Sequence, residues 1–291
     1  MLHGVLIYPN EPDSAFTASF QAIKGLKWES FIPTMNGRYF GGYDLLLTSH
    51  FNLVAILDSN FTTFGFLSGL VRNGCHLFLP EKQEMTSRER IKLIQLAEEG
   101  NTCIQIRNDL LFHPTFHAYT KNHAESKLIE IHHFAPGKHG KTQEMLYSNL
   151  LMTLKIIDSD PFRMSVCAIP NSVFPPDVIN LHISFHNGSA ATLTLSFTGR
   201  KKEHTLSVHT ANGVMTYNFR ENNLHPLSLN PGQDRIDLFN QELLIRQISH
   251  FADCISRQGF EKSGLSAETK TLHLIEKINQ KLELSAVLCK V

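Results

Sequence analysis

Three short groups of polar residues follow three successive apolar segments in the first half of the chain. They are residues 58–60 (DSN), 80–82 (PEK) and 107–109 (RND). Their carboxylate, ammonium, guanidinium and amide groups can bind a polar ligand, and the charged ones can take part in proton transfer. These three groups are the first candidates for chemistry.

The apolar segments before these groups cover residues 54–57, 76–79 and 103–106, and their length and composition predict β-strands. Residues 64–72 and 87–99, between the strands, carry apolar side chains at helical spacing. Strands that alternate with helices predict a parallel sheet covered by helices. Ligands of such sheets bind beyond the carboxyl ends of the strands, where the three polar groups lie.

The N-terminal segment predicts a strand at residues 4–8, a helix at 14–24 and a second strand at 27–32. The turn after the first strand, YPNEPD at residues 8–13, contains no glycine. Pro9 and Pro12 lack an N–H donor, and Glu11 and Asp13 add negative charge. A pyrophosphate needs free backbone N–H groups at a helix start, so this turn disfavours the usual mode of dinucleotide binding.

The second half of the chain predicts a different architecture. Strands are expected at residues 128–134, 163–169, 178–186, 191–198, 204–210 and 214–219, with consecutive strands paired antiparallel. Residues 178–185 alternate between polar and apolar side chains, which is typical of a sheet with one covered face. Helices are predicted at 235–257 and 266–284, and we expect the last one to pack back onto the first domain. We place the domains at 1–115 and 116–291.

Composition excludes several classes of protein. Lysine plus arginine equals aspartate plus glutamate at 27 each, so nucleic acid is not an expected partner. No apolar segment reaches the roughly 18–20 residues that span a bilayer, and we predict a cytoplasmic protein without a membrane partner. The five cysteines are widely spaced, lie mostly inside apolar runs and form no CxxC pair, which predicts buried free thiols.

The sixteen histidines raise the question of a metal site. His113 and His117 have the i, i+4 spacing that would place both on one helix face, but a structural or surface role is the favoured interpretation. His182 and His186 share a strand face about 13 Å apart, too far for one ion at roughly 3.3 Å per residue. We predict no metal.

The assembled pattern resembles the Gfo/Idh/MocA family of NAD(P)-dependent oxidoreductases, which act mainly on sugars and polyols. The segment NGCHLFLPEKQEMTSRERIKLIQLAEE at residues 73–99 is similar to the family's AGKHVLVEKP and the LxxLAEE helix after it. LLFHPTF at 110–116 is similar to its RFHP segment. SFHNGSAATLTLSF at 184–197 and RQISHFADCISRQ at 246–258 are similar to parts of its C-terminal domain.

The resemblance implies an α/β fold with a Rossmann-type parallel-sheet domain, followed by an α+β domain with a mostly antiparallel open sheet. It also implies NAD or NADP as cofactor, a small sugar-like ligand, and a homodimer or higher homo-oligomer formed through the C-terminal sheet. The family's chemistry is hydride transfer to or from a substrate carbon, with a lysine at the reacting oxygen and an Asp/His pair that handles the proton.

Several family positions hold other residue types in this chain. An ungapped register places Glu81 at the catalytic lysine, whereas a gapped register retains Lys82 there. Ser148 and Asn149 fall at the His and Asp positions of the helical motif, and neither is a base near neutral pH. Ser59 and Thr63 replace residues beside the nicotinamide, and Leu111 replaces an arginine. The implied cofactor positions are Tyr8, Asn10, Ser59 and Asn60, and the implied substrate-cleft positions are Asp109, Ser148 and Asn149.

Two functions remain open at this point. One is an oxidoreductase-family protein, nominally an NAD(P)-dependent sugar or polyol dehydrogenase, with eroded cofactor and catalytic motifs. The other is a non-catalytic protein that uses the same scaffold for ligand sensing or protein interaction. The replaced residues favour a degenerate active site.

Overall fold

The structure is a computed structural model that divides the chain into two compact units. It describes residues 1–9, 14–34, 51–81, 83–109, 111–112, 126–137, 141–169, 176–198, 202–211, 213–219, 223–225, 236–256 and 262–288. Unit 1 comprises Met1–Phe112 and Asp234–Thr269, and unit 2 comprises His113–Gln233 and Lys270–Val291. The predicted second domain, 116–291, therefore differs from unit 2 by the segment Asp234–Thr269 and by residues 113–115.

Unit 1 contains a parallel sheet. Its elements are β1 (Leu2–Pro9), α1 (Ser14–Gln21), β2 (Leu26–Thr34), β3 (Leu53–Ile56), a 3-10 turn (Ser59–Phe61), α2 (Phe64–Arg72), β4 (His76–Leu79), α3 (Ser87–Glu99) and β5 (Ile104–Ile106). The five strands lie in the order β2-β1-β3-β4-β5, and every pair is parallel. This confirms the predicted parallel α/β sheet.

Local sequence explains why these elements form. β3 reads LVAI and is buried along its whole length, as expected of a strand whose sheet is covered on both faces. α3 begins with a capping box, in which Thr86 and Glu89 bond each other's backbone N–H groups. Gly4 lets β1 lie close to β2, since a Cβ there would lie 2.9 Å from Leu26 Cδ1. These features fix the strand ends that carry the candidate site.

The helix that joins unit 1 from the distant C-terminal segment is α5 (Ile236–Ser256). Its buried residues Leu244, Ile248 and Phe251 belong to one apolar cluster with residues of β1, β3 and β4. The Phe251 and Phe78 rings lie 6.2 Å apart. Unit 1 also includes the last helix up to Thr269, and packing of that helix on the first domain stays a prediction.

Unit 2 contains a mixed sheet. Its elements are β6 (Leu128–Phe134), α4 (Thr142–Ile157), β7 (Pro161–Ile169), β8 (Val178–Phe185), β9 (Ala190–Ser196), β10 (Glu203–Thr210), β11 (Gly213–Asn218) and β12 (Asn223–His225). The strand order is β12-β11-β10-β6-β9-β8-β7. The sheet is mostly antiparallel, which confirms the predicted class of the second domain.

Two predicted pairings in this sheet are wrong. Consecutive strands β9 and β10 do not pair, because β6 lies between them, and consecutive strands β6 and β7 do not pair, because β9 and β8 lie between them. β6 runs parallel to β9 and antiparallel to β10. The hairpin signals in the sequence identify neighbouring strands but carry no information about a distant strand that inserts between two of them.

One face of the unit 2 sheet is covered by α4, in which all residues except Gln143, Glu144 and Lys155 are buried. The buried Lys127 donates a hydrogen bond from Nζ to the Ile156 carbonyl at 2.8 Å, which places a positive group at the C-terminal end of this helix. Much of the last helix, α6 (Lys262–Leu288), also belongs to unit 2. Among the described residues, no helix is both long and apolar enough to cross a bilayer.

Candidate functional site

The first candidate site lies at the carboxyl ends of the unit 1 strands. β1 pairs with β2 on one side and with β3 on the other, so the strand order reverses direction beside β1. The Leu57 N–H donates to the Ile7 carbonyl at 2.7 Å, which holds the two strand ends together. Parallel α/β sheets bind ligands at such a reversal. Tyr8 is buried at the end of β1, while Asn10 lies outside the described residues.

Asp58 follows β3 and is buried at this strand end. Its Oδ1 accepts hydrogen bonds from the Asn60 backbone N–H at 3.0 Å and from Asn60 Nδ2 at 2.9 Å. Ser59 is half-buried, and its carbonyl accepts a hydrogen bond from the Thr62 hydroxyl, whereas Asn60 is exposed. The structure therefore places Ser59 and Asn60 at the same edge of the sheet as Tyr8, next to the buried carboxylate of Asp58.

The loop after β4 is tied to the loop after β3. The hydroxyl of the fully buried Thr62 accepts a hydrogen bond from the Glu84 backbone N–H at 2.7 Å. Gln83 is buried and donates from Nε2 to the Pro80 carbonyl at 3.1 Å; its Oε1 has no partner among the described residues. Glu81 is half-buried, and Lys82 lies outside the described residues. The choice between Glu81 and Lys82 as the lysine position stays a prediction.

Arg107 and Asp109, at the end of β5, form a bidentate ion pair. Arg107 Nε and Nη2 donate to the two carboxylate oxygens of Asp109 at 2.9 and 2.8 Å. Burial alone would lower the pKa of Arg107, but its hydrogen bonds to Asp109 and the charges of Asp109 and Glu81 raise that pKa above its ordinary value. Asp109, predicted to line a substrate cleft, thus has a cationic partner within its own loop.

Gln247 of α5 completes this network within unit 1. Its fully buried side chain accepts a hydrogen bond from the Asn108 N–H at 2.9 Å and donates one to Asp109 Oδ1 at 2.8 Å. The sequence predictions missed this residue. Its signal is a polar residue within the apolar stripe of a helix, beside Leu243, Leu244 and Ile248.

The second candidate site surrounds Asn149 of α4 in unit 2. Asn149 has 0% exposure. Its Nδ2 donates to the Met145 carbonyl at 2.7 Å and lies 3.1 Å from His133 Nδ1, and its Oδ1 lies 3.0 Å from His204 Nε2. The His133 and His204 rings stack with centroids 3.8 Å apart. The carboxamide therefore links two strands, β6 and β10, to α4.

The environment of this cluster disfavours the protonated form of His204. The pKa of His204 is held well below its ordinary value, by burial first and by the charge of His133 second. Ser148, the neighbouring predicted cleft residue, is buried and donates its hydroxyl to the Glu144 carbonyl at 2.9 Å. Neither Ser148 nor Asn149 can act as a base near neutral pH. The sequence predictions did not pair His133 with His204, because their contact arises only from the register of β6 and β10.

Possible metal ligands do not cluster in the described part of the chain. There, no group of three or more His, Cys, Asp or Glu side chains could hold a metal ion. His113 and His117 lie outside the described residues, so their predicted structural role stays a prediction.

Comparisons with known proteins identify the fold. No protein-family model and no curated protein matches the sequence. The chain is similar in structure to UDP-N-acetylglucosamine 3-dehydrogenase GnnA from Acidithiobacillus ferrooxidans, with a TM-score of 0.73 and 15% identity over 96% of this chain and 97% of that one. It is similar to the dehydrogenase MviM from Clostridium difficile, with a TM-score of 0.75 and 12% identity over 96% and 99% of the two chains.

A third similar structure is biliverdin reductase from Synechocystis in complex with biliverdin and NADP+, with a TM-score of 0.66 and 14% identity over 95% of this chain and 98% of that one. All three solved structures are oxidoreductases, and the likeness spans nearly the whole chain. At these identities the likeness confirms the Gfo/Idh/MocA-type fold that the sequence motifs implied.

The residues of unit 1 do not fit the pyrophosphate of NAD(P) in the way this type of fold usually binds it. The turn between β1 and α1 has no glycine, and Pro9 and Pro12 offer no N–H donor. In addition, the buried Asp58 carboxylate stands at the adjacent strand end. A carboxylate close to a phosphate group costs electrostatic energy that a glycine-rich turn would not impose.

Proposed function

We propose that the chain is a divergent Gfo/Idh/MocA oxidoreductase-family protein, nominally an NAD(P)-dependent sugar or polyol dehydrogenase, in which the cofactor and catalytic motifs are eroded. We infer that the protein is non-catalytic and that it uses this scaffold for ligand sensing or protein interaction. The similarity in fold to whole oxidoreductase chains supports the first statement. The residues at the two candidate sites support the second.

The observation that carries this proposal is the environment of Asn149. Hydride transfer needs a group that takes or returns a proton at the reacting oxygen, and an amide does not titrate near neutral pH. Asn149 is also fully buried, and its carboxamide already bonds Met145, His133 and His204. A side chain engaged in this way holds α4 against its sheet, and its full burial leaves it no surface that a substrate could contact.

The ligand class we propose is a small, neutral, sugar-like molecule. GnnA is named as a dehydrogenase of UDP-N-acetylglucosamine, a nucleotide sugar, and this chain shares its fold from end to end. Asn60 is exposed beside the half-buried Ser59 at the strand ends, and together they offer amide and hydroxyl groups that can bond sugar hydroxyls. The anionic Asp58 beside them favours a neutral polyol over a phosphorylated one.

Nucleotide titration tests the loss of cofactor binding. The full-length protein is titrated with NADH and with NADPH, and nucleotide emission is recorded with excitation of Trp28, the only tryptophan. The biliverdin reductase from Synechocystis, whose structure contains NADP+, serves as the positive control. We expect no saturable signal at micromolar nucleotide and no turnover of sugars or polyols. Saturable micromolar binding of either nucleotide would remove the basis of this proposal.

A second candidate is a working dehydrogenase with an unusual cofactor turn and Lys82 at the reacting oxygen. The specific observation in its favour is the similarity to biliverdin reductase, whose structure contains NADP+. This candidate predicts nucleotide binding together with loss of turnover in Lys82→Met. The Glu81→Gln variant is the matched control, because it changes the neighbouring residue and retains the lysine.

We further propose that two copies of the chain associate through the outer face of the unit 2 sheet. Residues at alternate positions of β8 and β9 on this face are half-buried or exposed, including His182 and Thr194. Ile169 and Leu128, with exposures of 60% and 39%, add apolar area. Light scattering should give about twice the chain mass of 32.9 kDa. Thr194→Lys should shift the protein to monomer, and Gln95→Lys on α3 should not; a monomeric wild type would refute the dimer.

A further inference from the structure

An open cavity of about 430 Å³ lies between α1 and α5, two helices that contact each other within unit 1. Its volume is within the roughly 300–1,000 Å³ range of small-molecule pockets, near the lower end. The main lining residues are Ser19, Ile23 and Lys24 at and just beyond the end of α1, and Ile245, Ser249 and Asp253 at every fourth position of α5. The cavity is therefore large enough for a small ligand.

Part of the cavity wall is apolar. Ile23 is buried, with an exposure of 5%, and belongs to the apolar cluster that α1 and α5 share with the parallel sheet. Ile245 is half-buried and packs against the same cluster. Because the core holds both side chains in place, they can contact an apolar group of a ligand without being ordered by it.

Two opposite charges also line the cavity. Lys24 and Asp253 are exposed, and within the described ranges neither of them forms an ion pair with the other or with a third residue. Asp253 lies in the last turn of α5, which contains no basic residue. The unpaired carbonyl groups of a helix C-terminus disfavour a carboxylate nearby, so a cation beside Asp253 is stabilising.

The cavity reaches the edge of the sheet opposite the strand-end site. The Gly25 carbonyl, next to Lys24, accepts a hydrogen bond from the Leu2 N–H at 3.0 Å, at the amino end of β1. Asp58 and Asp109 follow the carboxyl ends of β3 and β5. The amino and carboxyl ends of parallel strands lie at opposite edges, so Lys24 is remote from the residues considered for a sugar-like ligand.

We propose that this cavity binds a free α-amino acid with an apolar side chain, in its zwitterionic form. The ligand carboxylate faces the Lys24 ammonium, and the ligand ammonium faces the Asp253 carboxylate. The hydroxyl of the half-buried Ser249, one turn before Asp253, can bond either charged group. The ligand side chain lies against Ile23 and Ile245. A ligand with a single charge would leave one of the two cavity charges without a partner, whereas a zwitterion complements both.

Calorimetric titration of the full-length protein with three related probes tests the ligand class. L-leucine carries both charges, N-acetyl-L-leucine lacks the ammonium, and L-leucinamide lacks the carboxylate. We expect saturable binding of L-leucine with a dissociation constant of about 1 mM or less. Each derivative should bind about tenfold more weakly, because it loses one charge-assisted hydrogen bond. Absence of saturable L-leucine binding, or equal affinity for either derivative, would overturn the proposal.

Two variants assign the binding to this cavity. Lys24→Met removes the ammonium and keeps an unbranched apolar side chain, and Asp253→Asn removes the charge with little change of shape. Each should weaken L-leucine binding about tenfold. In addition, Lys24→Met should bind L-leucine and L-leucinamide alike, and Asp253→Asn should bind L-leucine and N-acetyl-L-leucine alike. A general loss of structure would not produce this pairing of variant and probe.

The matched control is Glu242→Gln, an exposed change on α5 outside the cavity, which should leave L-leucine binding unchanged. Trp28 fluorescence checks the fold of every variant, because the Trp28 indole donates a hydrogen bond to the Phe20 carbonyl of α1 at 2.8 Å. Wild-type affinity for L-leucine in both cavity variants would refute this site.

Discussion

The polar residues of the two candidate sites differ in charge and in burial. At the strand ends of unit 1, Arg107 and Asp109 remain charged, pair with each other and retain part of their exposure. In unit 2, Asn149 is neutral and fully buried, and its partners are a backbone carbonyl and two histidines. The unit 1 site is therefore accessible to a ligand from solution, whereas Asn149 is part of the packing between α4 and the unit 2 sheet.

The physical cause of this difference is the cost of burying charge. A buried carboxylate without a matched cation is expensive, while a carboxamide whose donors and acceptor are all bonded is tolerated in a core. An uncharged amide at position 149 therefore permits tight packing and offers no base near neutral pH.

The largest expected effect comes from Asn149→Leu. This change leaves the buried His204 Nε2 without its acceptor and His133 without its amide partner, so the free energy of unfolding should fall by about 2–4 kcal/mol. Hydrogen exchange of peptides from β6 and β10 measures the loss in unit 2. Gln143→Leu, an exposed change on α4, is the matched control. Unchanged protection of these peptides from exchange would contradict a stabilising role of Asn149 and its two histidine partners.

The next effect tests the network at the strand ends. Gln247→Leu removes the acceptor of the Asn108 N–H and a donor to Asp109, and it should lower the free energy of unfolding by about 1–3 kcal/mol. Urea denaturation followed by Trp28 fluorescence reports on unit 1, because Trp28 packs on Phe20 there. Arg246→Ala, which breaks only an exposed ion pair, should cost about 0.5 kcal/mol or less. Equal losses in the two variants would contradict the network.

The dependence of the free energy of unfolding on pH tests the buried histidine of the Asn149 cluster. The pKa of His204 is lowered in the folded protein, so below about pH 6.5 the unfolded chain takes up a proton that the folded chain does not. Stability is therefore complete above that pH and falls as the pH decreases, by at most about 1.4 kcal/mol per pH unit for one group. Burial also lowers the pKa of His76, so His76 contributes to this pH dependence with the same sign.

His204→Phe measures the share of His204 in this pH dependence. The variant keeps an aromatic ring against His133 and Phe219 but has no titrating group, so the slope of stability between pH 7.5 and 5.5 should decrease. An unaltered slope in His204→Phe would assign the acid sensitivity to other groups.

The smallest effect is local to unit 1. Thr86→Ala removes the capping box of α3 and should cost about 1 kcal/mol, with Ser87→Ala as the neighbouring control. Trp28 fluorescence in urea measures both. Because the Thr86 hydroxyl forms its hydrogen bonds with Glu89 and not with the Arg107–Asp109 pair, its effect should add to that of Gln247→Leu. Strong non-additivity would show that the strand-end network extends to α3.

Much of the fold could be predicted from the sequence because its signals are local. The buried runs of β3, β4 and β5 and the helical spacing in α2 and α3 identified the parallel sheet, and alternation in β8 identified a sheet with one covered face. The insertion of β6 between β9 and β10 could not be predicted, since it depends on pairing between strands more than 50 residues apart in sequence.

The candidate sites were predictable only in part. The residues after each strand were found from their position alone, and Asn149 was found from the family resemblance. Gln247 and the pair of His133 and His204 were missed, because each acts through a partner that is distant in sequence. A polar residue inside an apolar helical stripe was the one signal that could have identified Gln247.

The sequence by itself determined the class of fold, the absence of a glycine-rich phosphate turn and the presence of two side chains, Ser148 and Asn149, that do not titrate near neutral pH. These properties depend on residue type and short-range spacing. Tertiary structure decided what these side chains do: burial against β6 and β10 makes Asn149 a structural bridge, and α5 brings Gln247 to β5. Hydrogen-bond partners and local dielectric are set by packing between distant segments, so only the folded chain could assign them.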